Sequence, residues 1–97
     1  MNAILELDKK LTEDGIPHEL IHLFDGYGIC YPSQKDWQGD VVCHMGSYGG
    51  KQGLMEAMGF DITPEKDGDS VVGYLTLDNA YSYFARQWEK DNHGQKA

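Results

Sequence analysis

Residues 18–22 read HELIH and match the HExxH pattern of zinc proteases. On a helix, His18 and His22 would lie one turn apart and could bind one Zn²⁺, while Glu19 would activate the metal-bound water. The third ligand would come from one of three residues, none of which stands at a diagnostic spacing: His44, Glu56 and His93. The motif therefore defines one hypothesis, a zinc-dependent hydrolase.

The secondary structure of residues 16–24 decides whether that hypothesis survives. On a strand, residues four apart are separated by about 13 Å, so His18 and His22 could not share a metal ion. The Asp-Gly pair at 25–26 stands between two apolar runs, which is a strong hairpin signal, and the second run is rich in β-favouring residues. We therefore predict a β-hairpin here, with no metal site and no catalytic residue.

A glycine-rich segment, residues 46–51, stands between a predicted strand and a predicted helix. Backbone N–H groups that converge at such a turn can hold a phosphate. The P-loop pattern fails here because Met45 stands where it requires glycine and Gln52 where it requires a hydroxyl. A tight turn is the simpler interpretation, and a small-ligand site for a sensor or sequestering domain is the alternative. Its ligand-binding residues would be Gly46, Ser47, Gly49, Gly50 and Lys51.

The chain contains two cysteines, Cys30 and Cys43. A cytosolic protein keeps its cysteines reduced, so we expect two free thiols rather than a disulfide. Cys43 as a nucleophile would need a histidine from another strand as its base, since the side chain of the adjacent His44 points to the opposite face of a strand. His18 and His22 are the other candidate bases.

Residues 61–69 carry four acids and one lysine. Their spacing does not fit a calcium-binding loop. The segment is therefore interpreted either as a solvated loop or as an acidic surface that contacts a partner. Such a surface would attract a basic partner, and exposed aromatic residues would add apolar contacts. The partner-binding residues predicted on this basis are Asp61, Glu65, Asp67, Asp69, Trp37 and Tyr48.

Hydrophobic periodicity predicts an α+β domain. A helix is expected over residues 3–13, the hairpin over 16–31, a strand around 41–43, a short helix over 51–58, and a strand over 71–75. Thr76 is the expected N-cap of a last helix that presents Leu77, Ala80, Tyr81, Phe84 and Trp88 on one side. We predict a small, mainly antiparallel sheet covered on one face by the N- and C-terminal helices. Residues 1–90 would form one domain, and 91–97 a polar tail.

Composition excludes several classes of function. The 97 residues include 16 acidic and 8 basic side chains, a net charge of −8. This excess argues against direct binding of nucleic acid or anionic membranes, both of which need a basic surface. No apolar run is long enough to span a bilayer, and the N-terminus lacks a signal-peptide pattern. We expect a cytoplasmic protein without a cofactor. A homodimer through a sheet edge or an aromatic patch is compatible with so small a core.

Several segments resemble a group of small uncharacterised proteins of phages and mobile elements of Gram-positive bacteria. The segments are 15–17, 23–27, 46–49, 54–59 and 70–76, and the similarity spans residues 3–88. The resemblance implies that HELIH is a coincidence, because histidine is not fixed at these positions in the group. It also implies a phage context, with the host cytoplasm as the location.

Charge, size and this context together favour a non-enzymatic binding protein or inhibitor. Its partner would be a host protein with a basic surface. An anti-defence protein, such as a nucleic-acid-mimicking CRISPR inhibitor, is the concrete version of this hypothesis.

Overall fold

The computed structural model of the chain describes residues 3–23, 26–43, 54–60 and 71–96, with the side chains of all but 71 and 93–96. Within these residues, two helices flank five strands. The elements are α1 (Ala3–Glu13), β1 (Glu19–Leu23), β2 (Gly26–Tyr31), β3 (Gly39–Cys43), β4 (Met55–Gly59), β5 (Val71–Leu75) and α2 (Leu77–Lys96). The strands form one antiparallel sheet in the order β1-β2-β3-β4-β5. The predicted α+β class, with N- and C-terminal helices and an antiparallel sheet, is confirmed.

The first helix begins and ends as its sequence predicts. Ile4, Leu7 and Leu11 lie on one side of α1 and are buried. The helix ends at a left-handed glycine, Gly15, with φ of 72°. The N–H of Ile16 donates back to the Leu11 carbonyl at 3.0 Å, so the end of the helix has the Schellman hydrogen bond.

The last helix is capped by Thr76, whose hydroxyl accepts the N–H of Asn79 at 3.4 Å. Ala80 and Phe84 are fully buried, as the apolar periodicity predicts, and Trp88 packs at the edge of the core. The helix continues to Lys96, so the polar segment that we expect to be a tail is helical over 91–96. Neither described helix is both long and apolar enough to cross a membrane.

Both helices pack on one face of the sheet. The core consists of their apolar sides and of the strand residues that alternate toward them. The strand residues of this core are Ile29, Tyr31, Val41, Met55, Ala57 and Leu75. The register places Ile29 opposite Val41 and Val41 opposite Ala57, which continues one row across three strands.

The predicted short helix over 51–58 is wrong where the structure describes it, because Met55–Gly59 is strand β4. Met55 and Ala57 are fully buried, whereas Met58 is 42% exposed. This alternation is the two-residue period of a strand. The predicted helical stripe of Leu54, Met55 and Met58 spans only five residues, and so short an apolar pattern fits either structure.

Two glycines let β3 and β4 pair closely beside the core. Gly39 lies opposite Gly59, and a Cβ on Gly39 would come within 2.5 Å of the Phe60 backbone nitrogen. Gly59 has a φ of 83°, where L side chains are strained. The absence of side chains at both positions allows Phe60 to pack its ring against Tyr31 and Phe84.

Candidate functional site

The face of the sheet opposite the helices, which we call the open face, is the best-defined candidate site. No described helix or strand packs on this face. Apart from the buried Cys30, its apolar residues are half-buried or exposed, and its charged residues stand on three different strands. The side chains that the register places there are those of Glu19, Ile21, Leu23, Cys30, Asp40, Val42, Glu56 and Met58.

Gly28 lies at the centre of the open face. A Cβ at this position would lie 3.2 Å from Val42, 3.3 Å from Ile21 and 3.4 Å from Leu23. These distances show that the three apolar side chains converge above Gly28 and form a continuous apolar patch. The patch stands beside a row of paired residues in which Cys30 has Glu19 on one side and Asp40 on the other.

The loop 32–38 is attached to the open face on both sides of Cys30. Glu19 Oε1 accepts the backbone N–H of Gln34 at 2.9 Å. On the other side, Trp37 Nε1 donates to Asp40 Oδ2 at 2.9 Å. These two bonds explain why the loop has a defined path and why Cys30, between them, is only 3% exposed.

Trp37 is the most prominent aromatic side chain of this loop. The residue is 44% exposed. The hydrogen bond to Asp40 fixes one end of the ring, and the far end lies 3.0 Å from where a Cβ of Gly59 would stand. A large apolar ring that is exposed and already held in place loses little conformational entropy when a partner covers it.

Asp40 lies in an unusual electrostatic environment. Burial raises the pKa of its carboxyl group, and the hydrogen bond from Trp37 lowers that pKa by a smaller amount. The second oxygen, Oδ1, is buried and accepts no hydrogen bond within the described part of the chain. Every charged residue that the register places on the open face is acidic, since Glu19 and Glu56 are the others.

HELIH does not have the helical geometry of the zinc-protease motif, because its residues are extended. Glu19–Leu23 is β1, so His18 and His22 are too far apart to bind one metal ion. Glu19 holds the loop 32–38 instead of standing near a metal. Among the described residues, no cluster of three or more histidine, cysteine or acidic side chains could hold a metal ion.

The two histidines of the motif have separate structural surroundings. His18 Nδ1 lies 2.7 Å from the Ile16 carbonyl oxygen, and its Nε2 lies 2.8 Å from Asp8 Oδ1. His22 is exposed and its ring lies 4.8 Å from that of Tyr27. His18 therefore connects the entrance of β1 to α1, whereas His22 lies on the surface.

Both cysteines are free thiols, as predicted. Cys30 lies on the open face and Cys43 on the helix face, so the sheet separates them. Burial raises the pKa of both thiols, and the charges of Asp40 and Glu19 raise that of Cys30 further. His22 stands two strands away from Cys43, about 10 Å at ordinary strand spacing, so it cannot act as its base. Nucleophilic catalysis by Cys43 with this histidine is therefore excluded.

The remaining predicted site residues lie outside the described residues. They are Gly46, Ser47, Gly49, Gly50 and Lys51 of the glycine-rich segment, Asp61, Glu65, Asp67 and Asp69 of the acidic loop, and Tyr48 and His44. The side chain of His93 also lies outside them. Of the predicted partner-binding residues, Trp37 is thus the one that the structure describes.

Sequence reasoning did not single out Asp40, Glu56 or Met58 as surface residues of one site. The signal was the alternation within residues 39–43 and 55–59, where every second residue is buried against the helices. This alternation assigns Glu56 and Met58 to the open face only if residues 55–59 form a strand, whereas the sequence predicts a helix there. The shared face then follows from the strand register.

Comparison with protein-family models, with curated protein sequences and with solved structures finds no match for this chain. The resemblance to phage proteins therefore stays a prediction.

Proposed function

We propose that this chain is a non-enzymatic binding protein that contacts a partner protein through the open face and Trp37. The partner surface would be apolar at its centre and basic around it. In the setting that the resemblance implies, the partner is a nucleic-acid-binding protein of the host, and binding inhibits it.

The charge distribution of the open face carries this proposal. Glu19, Asp40 and Glu56 supply negative charge from three strands, and the described basic side chains lie on the helices or in the loop 32–38. A face with one sign of charge attracts the opposite sign and repels its own copy. A basic partner therefore fits this face better than a second copy of the chain.

The apolar patch and Trp37 supply the contact area. Ile21, Leu23 and Val42 converge above Gly28, and Met58 is 42% exposed on a neighbouring strand. Apolar side chains at the centre of an interface, surrounded by charged groups, are the usual arrangement of protein contact surfaces. Tryptophan is among the residues that contribute most to binding free energy.

The experiment is affinity capture from the lysate of a Gram-positive bacterium with four tagged proteins. These are the wild-type chain, Trp37→Ala, Glu56→Lys, and the control Glu6→Ala, which changes an exposed acid on α1. We expect one protein to be retained by the wild type and the control and lost by the other two. Trp37→Ala should weaken binding at least about 30-fold, the range of interface hot spots.

Two further measurements distinguish this interaction from nonspecific retention. The captured protein should elute as salt rises, because the contact is electrostatic, and nucleic acid should compete with the chain for it. Equal retention by all four proteins, or retention unaffected by salt, contradicts the proposal. So does a dimer of the chain, detected by sedimentation velocity, that Trp37→Ala dissociates.

A further inference from the structure

A cleft on the helix side of the molecule forms a second candidate site. Its volume is about 570 Å³. It lies between the C-terminal half of α2, the entrance of β1, the end of β2 and the start of the loop 32–38. This volume is within the range of sites for small molecules, roughly 300–1,000 Å³.

One wall of the cleft is held rigid by a hydrogen-bond network. The Tyr31 hydroxyl donates to Asp91 Oδ2 at 2.8 Å. Gln87 Nε2 donates to Asp91 Oδ1 at 3.2 Å and to Gln38 Oε1 at 3.4 Å. Tyr31 is only 1% exposed, so its ring fixes the network to the core. A site whose polar groups are already held in place binds with less loss of conformational entropy.

The charges of the cleft favour a neutral ligand. Asp91 and Lys90 carry opposite charges, and both oxygens of Asp91 already accept hydrogen bonds. The described lining therefore has no net charge, which favours neither an anion nor a cation.

The remaining lining residues specify the shape and the polar edges of the ligand. Trp88, Pro17 and Pro32 are apolar and can contact a flat C–H surface. Gln38 and Asn92 each carry an amide, which both donates and accepts hydrogen bonds. A hydroxyl group also donates and accepts hydrogen bonds. A ring that carries several hydroxyl groups can therefore contact the apolar side chains with its C–H face and the amides with its hydroxyl groups.

We infer that this cleft binds a neutral saccharide of one or two rings. One ring face packs on the Trp88 indole, and its hydroxyl groups bond the amides of Gln38 and Asn92. The cleft shares the loop 32–38 with the open face, but none of its lining residues is a contact residue of the proposed function, so either proposal can fail without the other.

The experiment uses the fact that the chain has two tryptophans, Trp37 and Trp88. In Trp37→Phe, Trp88 is the one remaining tryptophan, and its fluorescence reports on the cleft. Glucose, N-acetylglucosamine and maltose are titrated in turn. We expect a saturable change in Trp88 emission with at least one of them.

The variants Gln38→Ala and Asn92→Ala, made in the same background, test the amides. Each should weaken binding about two- to tenfold, which corresponds to one lost hydrogen bond. Gln34→Ala, at an exposed position of the loop 32–38, is the matched control and should leave binding unchanged. Unfolding midpoints measured in parallel separate lost binding from lost structure, and Asn92→Asp provides a second variant of similar size.

The inference is overturned by the absence of saturation with all three saccharides. Equal affinity in the control and in both amide variants, each shown to be folded, also overturns it. Adenosine and a proline oligopeptide serve as comparison ligands. A response to either of these without a response to the saccharides assigns the cleft to another ligand class.

Discussion

His18 Nε2 lies 2.8 Å from Asp8 Oδ1 and connects the entrance of β1 to the middle of α1. The other ring nitrogen, Nδ1, lies 2.7 Å from the Ile16 carbonyl oxygen, so both nitrogens of the ring face acceptors. The side chain of His18 is 10% exposed, whereas His22 is exposed. The two histidines of one sequence motif therefore contribute differently to stability.

We predict that His18→Ala lowers the free energy of unfolding by about 1–2 kcal/mol, because it removes the polar contacts of the ring with Asp8 and with the Ile16 carbonyl. His22→Ala is the matched control and should change it by less than about 1 kcal/mol, as exposed substitutions usually do. Urea unfolding of both variants measures the difference. A larger effect at His22 than at His18 would contradict the assignment.

Asp40 should make stability depend on pH in a direction opposite to that of most carboxylates. Burial raises its folded-state pKa above the ordinary value of 3.8, so the folded chain binds this proton more tightly than the unfolded chain. The contribution of Asp40 is then most favourable at low pH and is lost as pH rises through the folded-state pKa.

The measurement is the free energy of unfolding of the wild type minus that of Asp40→Asn across the acidic range. This difference should decrease as pH rises above 3.8 and then level off. Asp36→Asn, in the exposed part of the loop 32–38, controls for the removal of one negative charge. A difference that increases with pH means that Asp40 is stabilised as the anion.

Tyr31 should limit stability at alkaline pH. Burial and the hydrogen bond to Asp91 raise the pKa of its phenol above the ordinary value of 10.0. The folded chain therefore keeps the proton when the unfolded chain releases it, and the stabilisation is lost as pH rises above 10.0.

Tyr31→Phe removes both the hydrogen bond and the titration. At neutral pH it should lower the free energy of unfolding by about 1–2 kcal/mol. Above pH 10.0 the gap between wild type and variant should narrow. Tyr74→Phe is the control, because Tyr74 is 61% exposed. A constant gap across this range would show that the phenol of Tyr31 titrates alike in both states.

Three glycine-to-alanine substitutions separate backbone strain from steric overlap. Gly15→Ala introduces strain alone, since φ is 72° and no atom lies within 4 Å of the new Cβ, and should cost about 1–2 kcal/mol. Gly39→Ala forces a Cβ against the Phe60 backbone and should cost about 1–3 kcal/mol.

Gly59→Ala combines both effects and should be the most destabilising of the three. Denaturant unfolding gives the order of the variants. A Gly59→Ala protein that is more stable than Gly15→Ala would contradict the close pairing of β3 with β4.

The terminal helices were the easiest elements to predict, because their signals are local. Ile4, Leu7 and Leu11 repeat with the period of a helix, and the glycine at 15 ends it. Thr76 likewise caps α2. The hairpin is predicted for the same reason, since its two strands are adjacent in sequence and pair with each other.

The strand β4 was missed because its pairing partners are distant in sequence. Met55 and Ala57 are buried by α2 and by core residues of β2 and β3. All of these lie outside the short sequence window around β4, so a local hydrophobic pattern does not show them. Taken without the rest of the chain, the apolar pattern of residues 54–58 is compatible with a helical turn as well as with a strand. Tertiary contacts decided between the two.

The amino-acid sequence by itself determined the α+β class, the terminal helices, the hairpin and the negative charge of this protein. Each of these depends on residues within about ten positions of one another, or on composition alone. The tertiary structure decided which acids share a face, because that follows from strand register. It also decided that His18 contacts Asp8 and lies far from His22, because the extended strand β1 separates the two histidines of HELIH.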